Sequence, residues 1–146
     1  MTPKKKILVV EDEPVTRQTI EAGLCAAFDV VSVGGGREAL DRVGSEDVPD
    51  LILLDVKMPG MDGIEVCRRL KAQRRTRHIP VIFITCLDDT ISEARGMYAG
   101  AADYITKPVS LPALLTRIKT QLLLQEYIVA SNAGYASVAA FRAAGA

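Results

Sequence analysis

The sequence predicts an α/β domain, a five-stranded parallel sheet doubly wound with five helices covering both faces. Three observations carry that expectation. Unbroken apolar runs at residues 7–10, 51–54 and 81–84 have the length of strands covered on both faces. Segments with apolar residues at helical spacing lie between them. Strand and helix patterns alternate five times along the chain, which calls for right-handed crossovers and a parallel sheet.

The first strand follows Lys6 and ends in Glu11 and Asp12. Pro14 then suits the first turn of a helix, where its missing N–H costs nothing. Thr16, Ile20, Leu24 and Ala27 keep helical spacing there, with Arg17, Gln18 and Glu21 on the other face. Val30, Val31 and Val33 give a short strand, and Gly34, Gly35 and Gly36 a turn. That glycine run lacks the G-x-G-x-x-G spacing of a dinucleotide loop. Ala39, Leu40 and Val43 mark a second helix, which Gly44 can end. In the third strand, residues 51–54 run into Asp55, and Pro59, Gly60 and Gly63 close the run too soon for a helix. Ile64, Cys67 and Leu70 stripe a third helix, whose basic face (Arg68, Arg69, Lys71, Arg74, Arg75) reads as solvated.

The run at 81–84 ends in Thr85. Ile91, Ala94, Tyr98 and Ala99 suggest a weaker helix, interrupted by Gly96 and stopped by Gly100. Tyr104, Ile105 and Thr106 form a short last strand before Lys107 and Pro108. Leu111, Leu115, Ile118 and Leu122 stripe a final helix expected to reach Tyr127. One domain is therefore expected over residues 1–129. Residues 130–146 are Ala-rich, too thin in apolar content to fold alone, and read equally as helix, linker or non-native addition.

Composition narrows the function. The 146 residues allow one domain with a short extension. Eighteen basic residues balance eighteen acidic ones, so no global field recruits nucleic acid or an anionic membrane. Cys25, Cys67 and Cys86 are widely spaced and odd in number, which suits a reducing compartment rather than a disulfide framework or a metal site. Cys25 and Cys67 fall on helical core stripes and read as packing residues. No signal-type region follows MTPKKK, and no run approaches the roughly 18 apolar residues of a spanning helix. A cytoplasmic protein is expected.

The chemistry lies at the strand ends. In a parallel sheet all carboxyl ends share one edge, where open α/β sheets place their ligands. Glu11, Asp12, Asp55, Thr85 and Lys107 can therefore converge there. A strand-end Asp often only caps the next turn, but three carboxylates in one place ask for more. Two unit charges 4 Å apart repel by about 4 kcal/mol at an effective dielectric near 20, and a surface ion pair returns only about 0–1 kcal/mol. A divalent cation fits better than one lysine, and an all-oxygen site suits Mg²⁺. With a carboxylate, a hydroxyl and an ammonium beside it, this is equipment for phosphoryl transfer, Asp55 being the nucleophile. The lone His78 precedes Ile79 and Pro80 and reads as no phosphodonor, so the phosphoryl group comes from outside.

The combination LVVEDEP, LLDVKMPGMDG, VIFIT and DYITKP closely resembles the receiver domain of two-component response regulators, in order and on the right elements. The resemblance implies a flavodoxin-like fold with strand order 2-1-3-4-5. It implies phosphorylation of Asp55 by the phosphohistidine of a sensor histidine kinase or histidine phosphotransfer protein. By position, Asp12 and Asp55 match direct Mg²⁺ ligands, Lys57 offers its backbone carbonyl, and Glu11 contacts the metal through water. Thr85 and Lys107 match the switch hydroxyl and the phosphate-binding lysine, and Tyr104 the aromatic that reorients with the switch. Lys107–Pro108 would be cis. The output is expected to pass through the face of helix 4, strand 5 and helix 5 to an output domain, an effector or a second copy of the chain. No enzymatic activity beyond Mg²⁺-dependent self-phosphorylation and autodephosphorylation is expected. The segment from Ile82 to Pro108 also resembles receivers attached to cyclic-dinucleotide enzymes, as well as stand-alone ones.

Two positions depart from the family pattern. Glu11 stands where Asp is more usual, and Cys86 follows Thr85 where Ala is commoner. An aspartyl phosphohydrolase of the haloacid-dehalogenase type would want a second Asp two residues after Asp55, and that position is Lys57. A receiver-like binding module that takes no phosphate would be expected to lack some of the acidic, Thr or Lys residues.

Overall fold

The computed structural model describes residues 3–45, 47–86, 94–97 and 99–145, with side chains through residue 131. Strands and helices alternate: β1 (Lys6–Val10), α1 (Pro14–Leu24), β2 (Asp29–Val33), α2 (Gly36–Val43), β3 (Leu51–Asp55) and α3 (Gly63–Ala72). They are followed by β4 (Val81–Thr85), a helical segment at 94–97 that we label α4, β5 (Asp103–Thr106) and α5 (Leu111–Gly145). The strands lie in the order β2-β1-β3-β4-β5, and each neighbouring pair is parallel. The chain thus has the expected doubly wound sheet, with β1 and β3 at its centre.

The side-chain alternation of each strand explains the two layers. Leu8, Val10, Ile52, Leu54 and Phe83 face α2 and α3, meeting Ala39, Val43, Ile64, Cys67 and Leu70. Ile7, Val9, Leu51, Leu53, Ile82, Ile84 and Ile105 face the other way, meeting Ile20 and Leu24 of α1 and Leu114, Ile118 and Leu122 of α5. Every residue of β3 and β4 is buried, the burial that an unbroken apolar run requires. Among the described residues no helix is long and apolar enough to cross a membrane.

Several local expectations are corrected. Helix α1 stops at Leu24, so Ala27 lies outside it and is exposed, and Phe28 takes the core position instead. Cys25 follows the last buried residue of that stripe by about 100° of helix rotation; it is exposed, not packed in the core. Gly36 begins α2 rather than ending the turn. Lys71 is half-buried, not solvated, because its Nζ donates to the carbonyl oxygens of Arg77 and Ile79 at 3.0 and 2.6 Å. Of the readings left open beyond Tyr127, helix α5 takes the first and continues unbroken to Gly145, in keeping with the high helix propensity of Ala. Of the weaker helix read at 91–100, Ile91 and Tyr98 lie outside the described residues.

Candidate functional site

Register brings the strand-end polar groups together. Val10 is level with Leu54, Asp55 with Ile84 and Thr85 with Thr106, so the residues just beyond those positions emerge along one edge. Asp55 is buried although it bears a carboxylate, and so are Glu11 and Thr85. Asp12 is half-buried beside them. Carboxylate oxygens of Glu11, Asp12 and Asp55 all lie within 4.8 Å of one another.

The loop after β3 holds this arrangement. Gly63 opens α3 directly against Asp55: a Cβ there would stand 2.1 Å from the Asp55 carbonyl oxygen, so only glycine lets α3 start so close to the strand end. Asp62 caps the helix, its Oδ1 accepting from the Glu65 N–H at 2.9 Å. On the β1 side Glu13 caps α1, accepting from the backbone of Val15 and Thr16. The Glu11 side chain points inward, with Oε1 accepting from the Glu13 N–H at 3.3 Å.

Lys107 closes the site from β5. Its backbone N–H donates to the Thr85 carbonyl at 2.7 Å, and the Lys107–Pro108 peptide is cis. Its Nζ stands 3.1 Å from Glu11 Oε1 and 3.5 Å from Asp55 Oδ2. The Lys107 ammonium thus faces two of the three clustered carboxylates, and Glu11 Oε2 is buried with no hydrogen-bond partner among the described residues. The electrostatics follow. Burial, the Glu11 charge and a hydrogen bond with Asp12 push the Asp55 carboxyl up to about 8, against the pull of Lys107. Burial works against the charge on Lys107, but the Asp55 and Glu11 carboxylates outweigh it and its pKa is raised. An orphaned buried oxygen, an all-oxygen donor set and surplus negative charge fit a hard divalent cation.

The remaining predicted residues are Lys57, Thr85 and Tyr104. Lys57 is exposed and lines an open crevice of about 480 Å³ with Val56, Met58, Asp62 and Arg95. Thr85 ends β4, and its hydroxyl donates a long 3.4 Å hydrogen bond to the Cys86 carbonyl. Tyr104, level with Phe83, is exposed on edge strand β5. Sequence reasoning ranked Glu11 below Asp12, yet Glu11 is the more buried of the two. It also missed Arg17, whose Nη1 donates to the Glu11 carbonyl at 2.9 Å; helical spacing places it outward and carries no signal of that contact.

A pocket of this kind at the carboxyl edge of a 2-1-3-4-5 sheet points to one class of signalling domain, and comparison with known proteins agrees. The family model for the response regulator receiver domain matches residues 7–119, and the chain belongs to that family. It is 43% identical over 115 residues to the response regulator PleD of Caulobacter vibrioides, covering 79% of this chain and 25% of PleD. It is 41% identical over 118 residues to the phosphate regulon transcriptional regulatory protein PhoB of Rhizobium meliloti, covering 80% of this chain and 52% of PhoB. The chain thus spans about a quarter and about half of these relatives. Among solved structures, it resembles the receiver domain of the sensor histidine kinase PA1611 of Pseudomonas aeruginosa PAO1, which has a magnesium ion coordinated in its active-site cleft. That match has a TM-score of 0.75 at 30% identity, over 82% of this chain and 98% of that one.

Proposed function

We propose that Asp55 accepts a phosphoryl group from the phosphohistidine of a partner sensor histidine kinase or histidine phosphotransfer protein. The observation that carries this reading is the carboxylate trio Glu11, Asp12 and Asp55, with buried Glu11 and Asp55 facing the Lys107 ammonium. A carboxylate oxygen of Asp55 attacks phosphorus, the P–N bond breaks, and the leaving imidazole nitrogen takes up a proton. Lys107 binds a phosphoryl oxygen, and Thr85 donates its hydroxyl to another. Asp12, Asp55 and the Lys57 carbonyl would hold Mg²⁺, with Glu11 reaching it through water, and the ion supplies charge neutralisation for the transferring group.

The output is carried by the face made of α4, β5 and α5. Movement of Thr85 toward phosphate frees space for the Tyr104 ring to turn inward from its exposed position. Moving such a switch from 1:99 to 99:1 takes about 5.5 kcal/mol of differential interaction. Charge-assisted hydrogen bonds of about 1.5–3 kcal/mol each from Thr85 and Lys107 are of that order. The receiver unit occupies residues 1–129, and the α5 extension leads from that face to a cytoplasmic effector, an output domain or a second copy. The receiver itself catalyses nothing beyond its own phosphorylation and dephosphorylation. The test is to incubate the chain with acetyl phosphate and follow intact mass with Mg²⁺ or with EDTA. A single phosphoryl addition that requires Mg²⁺ is expected; equal addition in EDTA would contradict the reading.

A further inference from the structure

Arg17 takes no part in the chemistry above, yet it is half-buried and reaches back from α1 to the end of β1. Its Nη1 donates to the Glu11 carbonyl at 2.9 Å, while the Glu11 N–H donates to the Val33 carbonyl at 3.1 Å. Both backbone sides of Glu11 are therefore tied. Gly34, next to Val33, makes room for the guanidinium: a Cβ at that position would stand 3.1 Å from Arg17 Nη1, closer than ordinary contact.

We propose that Arg17, with the space left by Gly34, is a positioning residue for divalent-cation binding at Glu11, Asp12 and Asp55. The inference rests on the reading of that trio as the metal site. The Glu11 carbonyl and the Asp12 N–H belong to one rigid peptide plane. The Arg17 Nη1 bond to the carbonyl, with the Glu11 N–H bond to Val33, restrains that plane and with it the direction in which Asp12 leaves the strand. The two roles open to Arg17 have opposite signs. As a mere nearby charge it repels the cation, and its removal tightens binding. As a positioning group its removal weakens binding, since partners that orient metal ligands typically carry about 10–100-fold in affinity.

The test titrates Mg²⁺ calorimetrically into the unphosphorylated chain, with circular dichroism as the check on folding. Arg17→Met is expected to weaken binding by about tenfold. Arg17→Lys keeps the charge but carries its donor on a shorter, less directed head, so it recovers only part of the affinity. Gly34→Ala leaves the charge untouched but crowds the guanidinium, and weakens binding in the same direction by a smaller factor. Asp12→Asn is the control on the metal site. If Asp12→Asn loses affinity while Arg17→Met binds as tightly as the wild type or tighter, the positioning role is overturned and the metal site stands. If Asp12→Asn itself binds like the wild type, the metal reading falls and the positioning role with it. Should Arg17→Met fail to fold, wild-type affinity in both Arg17→Lys and Gly34→Ala overturns the proposal.

Discussion

Lys71 and Lys107 are both half-buried and sit at opposite ends of β4, yet their surroundings act on them in opposite directions. Lys71, in the last turn of α3, donates to two neutral carbonyls that lead into the strand. Burial dominates there and its pKa is lowered. Lys107, beyond the far end of the sheet, faces carboxylates, and its pKa is raised despite burial. Carbonyl dipoles satisfy hydrogen-bonding capacity without supplying a counter-charge, whereas carboxylates supply a charge that is itself unstable when buried. Burial of an ionisable group therefore does not mark a reactive site. The sign and surplus of the charges around it do.

Removing each ammonium in turn separates the two ends of β4 by the widest margin. Lys107→Met should slow phosphorylation by acetyl phosphate on the order of 10²-fold, the loss typical of one donor to a developing oxyanion. Lys71→Met should leave that rate unchanged and instead lower stability to urea by about 1–3 kcal/mol, because two carbonyls lose their donor. A comparable rate loss in both variants would mean that the two ends of β4 are not distinct in role.

A smaller effect is expected at the Lys71 end. Cys67, on the same helix, is buried, and burial raises its thiol to about 11 from 9.0, against the pull of Lys71 and Arg68. The folded state thus keeps a proton that the unfolded state releases. The resulting stability is full below pH 9.0 and is lost as pH rises toward about 11. A difference of one pKa unit between the folded and unfolded states corresponds to about 1.4 kcal/mol, so the loss is on the order of 3 kcal/mol. Lys71 acts oppositely in the same range, its lowered pKa adding stability as it deprotonates. The difference between wild type and Cys67→Val in urea melts across that range isolates the thiol. Parallel curves would show that Cys67 titrates alike in the folded and unfolded states, so that burial does not raise its pKa.

The same contrast explains what was legible in the sequence. Strand β3 could be read directly, because residues 51–54 are apolar on both faces and Asp55 ends the run. The convergence of Glu11, Asp55, Thr85 and Lys107 followed from parallel topology alone. Long cationic side chains were the failure. Spacing places the Cα of Arg17 or Lys71 on an outer face, but a flexible stem lets the charged head fold back to a carbonyl. Phe28 was missed for a different reason: it lies past the end of α1, where helical periodicity no longer applies. The length of α5 stayed open because small residues after Ala130 favour helix but carry no apolar stripe to decide it.

If the surplus of buried negative charge exists to make Asp55 a phosphoacceptor, the acyl phosphate must form on that side chain. It can be located by phosphorylating the chain with acetyl phosphate and Mg²⁺, reducing the acyl phosphate with borohydride, and mapping the altered residue by peptide mass spectrometry. Conversion is predicted at Asp55, with none anywhere in Asp55→Asn. Conversion at Asp12 or Glu11, or labelling of Asp55→Asn at the wild-type level, would contradict that assignment.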